Sequence, residues 1–293
     1  MRCDLHVHTR HSGMCNIPLL RRCCRESYNE PQAIYETLKA RGMDLVTVTD
    51  HDSIDAAEAL LHFPDFFLSE EVTCTTPDGT EIHVGVYGIG ERDHIELQRR
   101  RSDVPALAAY LGEQRIFFSI NHAFSSLTGR RTDSDFALFQ ELFPAMETRN
   151  GAIRRPNNAA AALLARWWNK SPVAGSDAHT LSGLGRTYTE VRGVQTRAGF
   201  LEGLRRGRSR ACGVDGGYVA LTRAVSQIGL SFMREKRWAA LLAPLLIVVP
   251  IITGASYAAE VVFEYRWSQR TLGRHLLGVP IADPLLEVAD VGK

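Results

Sequence analysis

Near the start of the chain, Asp4-Leu5-His6-Val7-His8 sets two imidazoles two positions apart. On a strand alternate side chains share a face, so Asp4, His6 and His8 point one way and Leu5 and Val7 the other. Two imidazoles so placed can chelate one metal ion, yet an isolated HxH triplet is a common accident. The other histidines give the triplet its meaning. Of ten in the chain, most close a run that reads as a strand. VTVTDHDS puts Asp50 and His51 where a buried strand opens into a loop, and EIHVGVY carries His83. IFFSINHAF ends in His122, SPVAGSDAHT ends in Asp177 and His179, and Glu71 stands at the tip of FFLSEEVT. In a β/α barrel such positions on successive strands converge at one end, where active sites are built. Imidazole and carboxylate together suit zinc, manganese or iron. Independent surface histidines would not track strand ends.

The elements that must bring these groups together follow from the hydrophobic pattern. Strands are expected at 2–8, 45–49, 66–72, 81–88, 115–121, 144–149 and 172–176. Helices are expected at 31–42, 54–61, 103–114, 134–142, 157–168 and 197–206, the first begun by Pro31 and stopped by Gly42. This β/α alternation favours a barrel or a doubly wound sheet over a segregated α+β fold. With 45% hydrophobic and 23% charged residues, the composition excludes a disordered chain and a polytopic membrane protein. The net charge of +1 argues against a nucleic-acid coat. Six scattered cysteines without a CxxC, and an opening MRCDLHVHTR with no apolar leader, read as reduced thiols in a cytoplasmic protein.

Taken in order, DLHVHT, TDHDS, SEEVT, EIHVGVY, Asn121-His122 and GSDAH resemble the motifs of the PHP (polymerase and histidinol phosphatase) family over residues 2–215. The resemblance implies an α/β fold, a distorted (β/α)7 TIM-like barrel, holding three divalent ions (Zn, Mn or Fe). It also implies hydrolysis of a phosphoester by a metal-bridging hydroxide. Carried over by motif, the metal ligands are His6, His8, His51, Glu71 (bridging two ions), His83, His122, Asp177 and His179. Many members place an acid after the first motif; here HTRHSGM has Gly13 there, and His11 is the nearby substitute for the ninth ligand. Ala123 replaces a frequent proline, and residues 13–30 suggest a loop over the site mouth. Asp177, His179 and Arg186 are the expected catalytic groups. Arg130, Arg131 and Arg149 are the expected phosphate forks, each equally able to be a solvated surface charge. Asp50 and Asp52 could orient His51, or Asp50 could cap a helix near Ser53.

Beyond residue 215 the pattern changes. Residues 216–237 read as a juxtamembrane helix, helical from 219, and Trp238–Ala259 holds 22 residues without Asp, Glu, Lys, Arg or His. A bilayer crossing needs about 20 apolar residues, so a transmembrane helix is expected there, followed by a short tail over 260–293. Flanking cations are balanced (Arg223, Arg234, Lys236 and Arg237 before, Arg266, Arg270 and Arg274 after), so charge says little about orientation. The expected arrangement is a domain over 1–215 on the cytoplasmic side of the inner membrane. The basic stretch 192–210 reads as a solvated helix face, an anionic-membrane contact or a polynucleotide contact. The expected substrate is a phosphorylated small molecule or nucleotide, without stable duplex nucleic-acid binding. The alternatives are a 3′- or 5′-directed exonuclease and a non-catalytic, metal-stabilised membrane scaffold.

Overall fold

The computed structural model describes residues 1–15 and 20–276. Part of the expected mouth loop and residues 277–293 of the expected tail lie outside them. Five strands form the main sheet: β2 (Ser69–Thr75), β3 (Glu81–Tyr87), β4 (Phe117–Ile120), β5 (Ala145–Asn150) and β6 (Ser171–Gly175) pair in chain order. The β2–β3 and β3–β4 pairs are antiparallel; β4–β5 and β5–β6 are parallel. A second sheet, in the order β1 (Arg2–Cys3), β7 (Thr187–Val191), β8 (Ser209–Gly213), is antiparallel throughout.

Segments 4–9 and 44–52 run extended between the two sheets, held by isolated bridges and single hydrogen bonds rather than ladders. Val7 bridges Ala178, Val46 bridges Phe66 and His51 bridges Glu71, while Thr49 N donates to Val7 O at 2.8 Å. The sheets therefore do not close into a continuous barrel. The strands expected over 2–8 and 45–49 are present mainly as these bridged runs, because their backbone groups are shared with side chains such as Thr49 Oγ1 and Ser12 Oγ.

Outside the strands lie α1 (Pro31–Ala40), α2 (Ala57–Leu60), α3 (Glu91–Arg100), α4 (Val104–Glu113), α5 (Asp133–Leu142), α6 (Arg155–Trp167) and α7 (Arg197–Arg205). Their starts are written in side chains: Asp103 accepts from Ala106 N, and Thr132 and Asp135 close a reciprocal capping box. Val104, Leu107, Ala108 and Leu111 turn one face of α4 into the core, a 3–4 spacing that a helix stacks into one stripe. β2–β5 are buried along most of their length, which explains their apolar runs.

In the stretch 192–210, four arginines have partners in the fold, while Arg208 and Arg210 are exposed. Arg206 pairs with Glu202, Arg205 bonds Arg115 O, Arg197 bonds Phe66 O and Arg192 pairs with Glu190. After Gly217 come α8 (Tyr218–Glu235), a 3₁₀ segment (Arg237–Val248) and α9 (Val249–Leu276). One apolar helical run, Arg237–Arg274, is long enough to cross a membrane. The break at Val249 falls between Pro244 and Pro250, which lack the N–H that a continuous helix needs.

Candidate metal centre

The expected ligands meet at one end of the main sheet. Glu71, on β2 and 1% exposed, presents Oε2 to His6 Nε2 at 3.1 Å, His51 Nδ1 at 3.4 Å and His8 Nε2 at 3.5 Å. Its Oε1 faces His122 Nε2 at 3.3 Å and His83 Nδ1 at 3.5 Å. Asp177 Oδ1 is 3.3 Å from His8 Nε2 and 3.7 Å from His6 Nε2. Four overlapping groups could each hold an ion: His6–His8–Asp177, His6–Glu71–His122, His51–Glu71–His83 and His8–Glu26–His51.

The donor set fits divalent ions. His8 Nε2, His51 Nδ1, His83 Nδ1 and Glu26 Oε1 are buried and lack a hydrogen-bond partner. Buried polar atoms are seldom left so, and metal bonds of ~2.1 Å would set neighbouring ligand atoms about 3.0–3.4 Å apart. Strand ends aim the ligands: His122 (φ 29°) and Asp177 (φ 50°) adopt left-handed backbone, costly for non-glycine residues and concentrated at functional sites.

Electrostatics divide the imidazoles. Burial disfavours charge on His6, but Glu71, Asp177 and Glu147 outweigh it and hold His6 well above the ordinary histidine range. The same contest, with Glu71 and Glu81 as the anions, lifts His83 to about 9. Burial pushes His8 down to about 4, helped by the adjacent His179, and His51 also down to about 4. Burial opposes ionisation of Glu71 and Asp177, yet the surrounding imidazoles hold both carboxyls well below their usual range. His8 and His51 are thus neutral and ready to ligate near pH 7. His6 and His83 must first release a proton. Metal affinity is accordingly expected to rise with pH towards about 9, by up to ~10-fold per unit for each competing proton. Calorimetric zinc titrations at about pH 6, 7 and 8, in buffers of different ionisation enthalpy, would read this as proton release; a pH-independent affinity would remove His83 from the ligand set.

Several expected roles change. The structure does not bring His11 into any of the four groups; its backbone N–H bonds Thr9 Oγ1. Glu26, from the mouth loop, stands there instead, its Oε1 3.7 Å from His51 Nε2 and 3.9 Å from His179 Nε2. His179 stacks on His8 with ring centroids 4.3 Å apart, beside the groups rather than within one. Asp4 shares a strand face with His6 but ties backbone, accepting from Ser176 N and Gly185 N at 2.7 Å each. Asp50 accepts from Thr9 N and Oγ1, both at 2.6 Å, and Asp52 pairs with Arg101 at 2.7 Å, so neither orients His51. Ser12 does: its Oγ bonds His8 Nδ1 at 2.8 Å and accepts from His51 N at 3.0 Å.

The expected phosphate forks differ in their partners. Arg131 is buried and bonds Glu81 O and Thr128 Oγ1; Arg130 reaches Asp78 O; Arg149 reaches Gly213 O and Asp215. Arg186 is exposed. Arg130, Arg131 and Arg149 each bond the fold, which the local sequence does not reveal. Sequence reasoning also missed Glu147, whose Oε1 bonds His6 Nδ1 at 2.8 Å and whose Oε2 accepts from His122 N and Asn150 Nδ2. Its position in METRN at a strand end was the available signal.

Comparison with known proteins bears on this arrangement. A family described as PHP-associated matches residues 155–209, the stretch that contains Asp177 and His179. A two-domain Bacteroides vulgatus protein containing a predicted PHP-like metal-dependent phosphoesterase aligns over 80% of this chain and 69% of its own, with TM-score 0.54 and 18% identity. The PHP resemblance holds. PsfC from Pseudomonas syringae aligns over 80% of this chain and 98% of its own, with TM-score 0.53 and 16% identity. The lesion-specific endonuclease EndoQ of Pyrococcus furiosus aligns over 72% of this chain and 57% of its own, with TM-score 0.50 and 18% identity. Among curated proteins, an uncharacterised Methanocaldococcus jannaschii protein is 37% identical over 54 residues, 18% of this chain and 30% of that relative. At these identities the solved structures speak to the fold alone.

Proposed function

We propose that the protein is a metal-dependent phosphoesterase acting on a small phosphomonoester or a nucleotide. The observation that carries this reading is Glu71, a buried carboxylate with five imidazoles within 3.5 Å. His6, His8, Glu26, His51, Glu71, His83, His122 and Asp177 would hold the ions, three in the fullest reading, with zinc, manganese and iron all matching the donors. Bound ions would supply positive charge against phosphate oxygens and would acidify a water molecule to make it a nucleophile near neutral pH. Glu147 fixes the ring of His6 through Nδ1, and Ser12 fixes His8, so Nε2 of each is directed into the cluster. His179, uncommitted to a group, would pass a proton at Nε2 to or from a leaving oxygen.

A cavity of about 460 Å³ adjoins His179, bounded by Tyr28, Thr180, Ser182, Gln227 and Arg234. Its size suits a small substrate better than a polynucleotide, and Arg234 in its lining would offer a guanidinium to a phosphate. The exonuclease alternative rests on the shared EndoQ fold, and the cavity beside His179 does not favour it. All six cysteines are free, which fits a reducing, cytoplasmic setting. The α/β body over 1–215 would carry the chemistry.

The test is metal analysis of the purified full chain, followed by a phosphate-release screen with manganese across phosphosugars, nucleotides and short oligonucleotides. A chain that binds no divalent metal would sink the reading, and one that binds metal yet releases no phosphate would favour the metal-stabilised scaffold. Within it, Glu26→Ala is expected to weaken one ion by ~10-fold or more, whereas His11→Ala leaves metal content unchanged. Equilibrium dialysis separates the two, and the reverse pattern would restore His11 as the ninth ligand.

A further inference from the structure

The apolar run has both ends on the α/β body. α8 leaves that body at Gly216, whose N–H donates to Ile153 O at 2.7 Å. The chain turns at Lys236, and the 3₁₀ segment returns along α8. Trp238 packs edge-on against Phe232 with centroids 5.6 Å apart, Tyr218 Oη donates to Pro250 O at 2.9 Å, and the Thr222 and Thr253 hydroxyls share a 2.8 Å hydrogen bond. α9 then rejoins the body. Glu260, the first charge after the run, accepts from Ser126 N at 2.7 Å, Ser125 Oγ at 3.0 Å and Asn157 Nδ2 at 3.1 Å, and also from Ser126 Oγ. Trp267 is buried and stacks on Phe136 at 5.6 Å, and Arg270 and Arg274 pair with Asp133.

A single crossing by 238–259 would put Glu260, Trp267 and Arg270 on the far side of a bilayer from Ser126, Phe136 and Asp133. It would sever every one of these contacts and strip a carboxylate of four donors. Yet the outward face of the hairpin is strongly apolar: Leu241 is 86% exposed, Ile247 81% and Ile251 73%, with Leu245 and Trp238 beside them. Its most apolar 18-residue window has mean hydropathy 2.2 and is only 17% buried. A contiguous apolar surface of that kind marks an interaction site.

The charges at its rim indicate the occupant. Arg234, Lys236 and Arg237 surround the turn, and Glu235 is the one acid among them, within 3.9 Å of both Arg25 and Lys236. Cys24, Phe232 and Ala239 form one buried cluster with Leu20 against it, which docks the segment bearing exposed Arg21 and Arg22 at the same end. Apolar side chains flanked by cations and a tryptophan match the acyl and headgroup layers of an anionic leaflet. A second copy of the chain would bring a second positive rim.

We propose that the α8–α9 hairpin inserts into one leaflet of an anionic membrane, lying along its surface with both ends on the side of the α/β body. The inference is independent of the metal chemistry. Flotation of the full chain with vesicles tests it. Binding is expected to phosphatidylcholine vesicles carrying about one-third phosphatidylglycerol, and to be ~10-fold or more weaker without the anionic lipid. Leu241→Glu with Ile251→Glu, both on the exposed face, should lower binding by ~10-fold or more while metal content stays unchanged. An impermeant maleimide added outside the vesicles should label both native Cys212 and the thiol introduced by Gln269→Cys, read separately by peptide mass. A shielded Gln269→Cys thiol would show a crossing and overturn the proposal. Failure to float, or concealment of the face by dimerisation in solution, would overturn it equally.

Discussion

Glu71→Ala is expected to empty the metal centre and abolish turnover while the chain stays folded. Both Glu71 oxygens face imidazoles, and its carboxylate raises His6, together with Asp177 and Glu147, and His83, together with Glu81. Two of the four ligand groups lose their only carboxylate with it. The four imidazoles of those two groups, His6, His51, His83 and His122, would then bring donors without negative charge to offset the ions. Loss of affinity should exceed the ~10–100-fold typical of removing an outer hydrogen-bond partner. Glu71→Gln, which keeps Oε1 to accept from Asn121 Nδ2 but removes the charge, should fall nearly as far. Metal analysis after dialysis, together with circular dichroism and phosphate release at saturating manganese, reads the result. A variant that kept the wild-type metal complement would mean that Glu71 is no ligand.

Much of this centre is legible in the sequence because strand-end residues are positioned by local pattern. VTVTDHDS and SPVAGSDAHT announce both the strand and the polar group that ends it. What escapes is whatever depends on packing between distant segments. Glu26 belongs to a loop without periodicity, and only its docking near His51 and His179 gives it a role. Arg131 reads as a phosphate fork until its guanidinium is found buried against Glu81 O and Thr128 Oγ1. β7 and β8 escape for another reason: TYTEV and SRACG are short, half-exposed and flanked by arginines, so they lack the apolar run of a buried strand. α3, ERDHIELQRR, buries only Leu97 and carries too little hydrophobic signal. The apolar run 238–259 shows the same limit. Length and composition fit a span, while the contacts of Glu260 and Trp267 with the body are invisible to a hydropathy window.

Gly175→Ala should damage the same centre from behind. Gly175 ends β6, two residues before Asp177, and a Cβ there would lie 2.3 Å from His6 Cβ, 2.4 Å from His6 N and 2.8 Å from His6 Cα. Two of these are backbone atoms, so no rotamer change relieves the overlap. The segment bearing His6 must move away from the strand bearing Asp177, although Asp177 N donates to His6 O at only 2.7 Å. Forced expansion of a packed interior costs about 1–3 kcal/mol, and here the strain falls on the backbone joining two ligands. The urea midpoint should fall, and metal affinity should fall by ~10-fold or more without any ligand being replaced. Gly112→Ala is the control: a Cβ there meets nothing within 4 Å in α4, and alanine should stabilise that helix by about 0.5–1 kcal/mol. If Gly175→Ala unfolded at the wild-type urea concentration with a full metal complement, the close approach of β6 to His6 would not be what holds His6 and Asp177 in register.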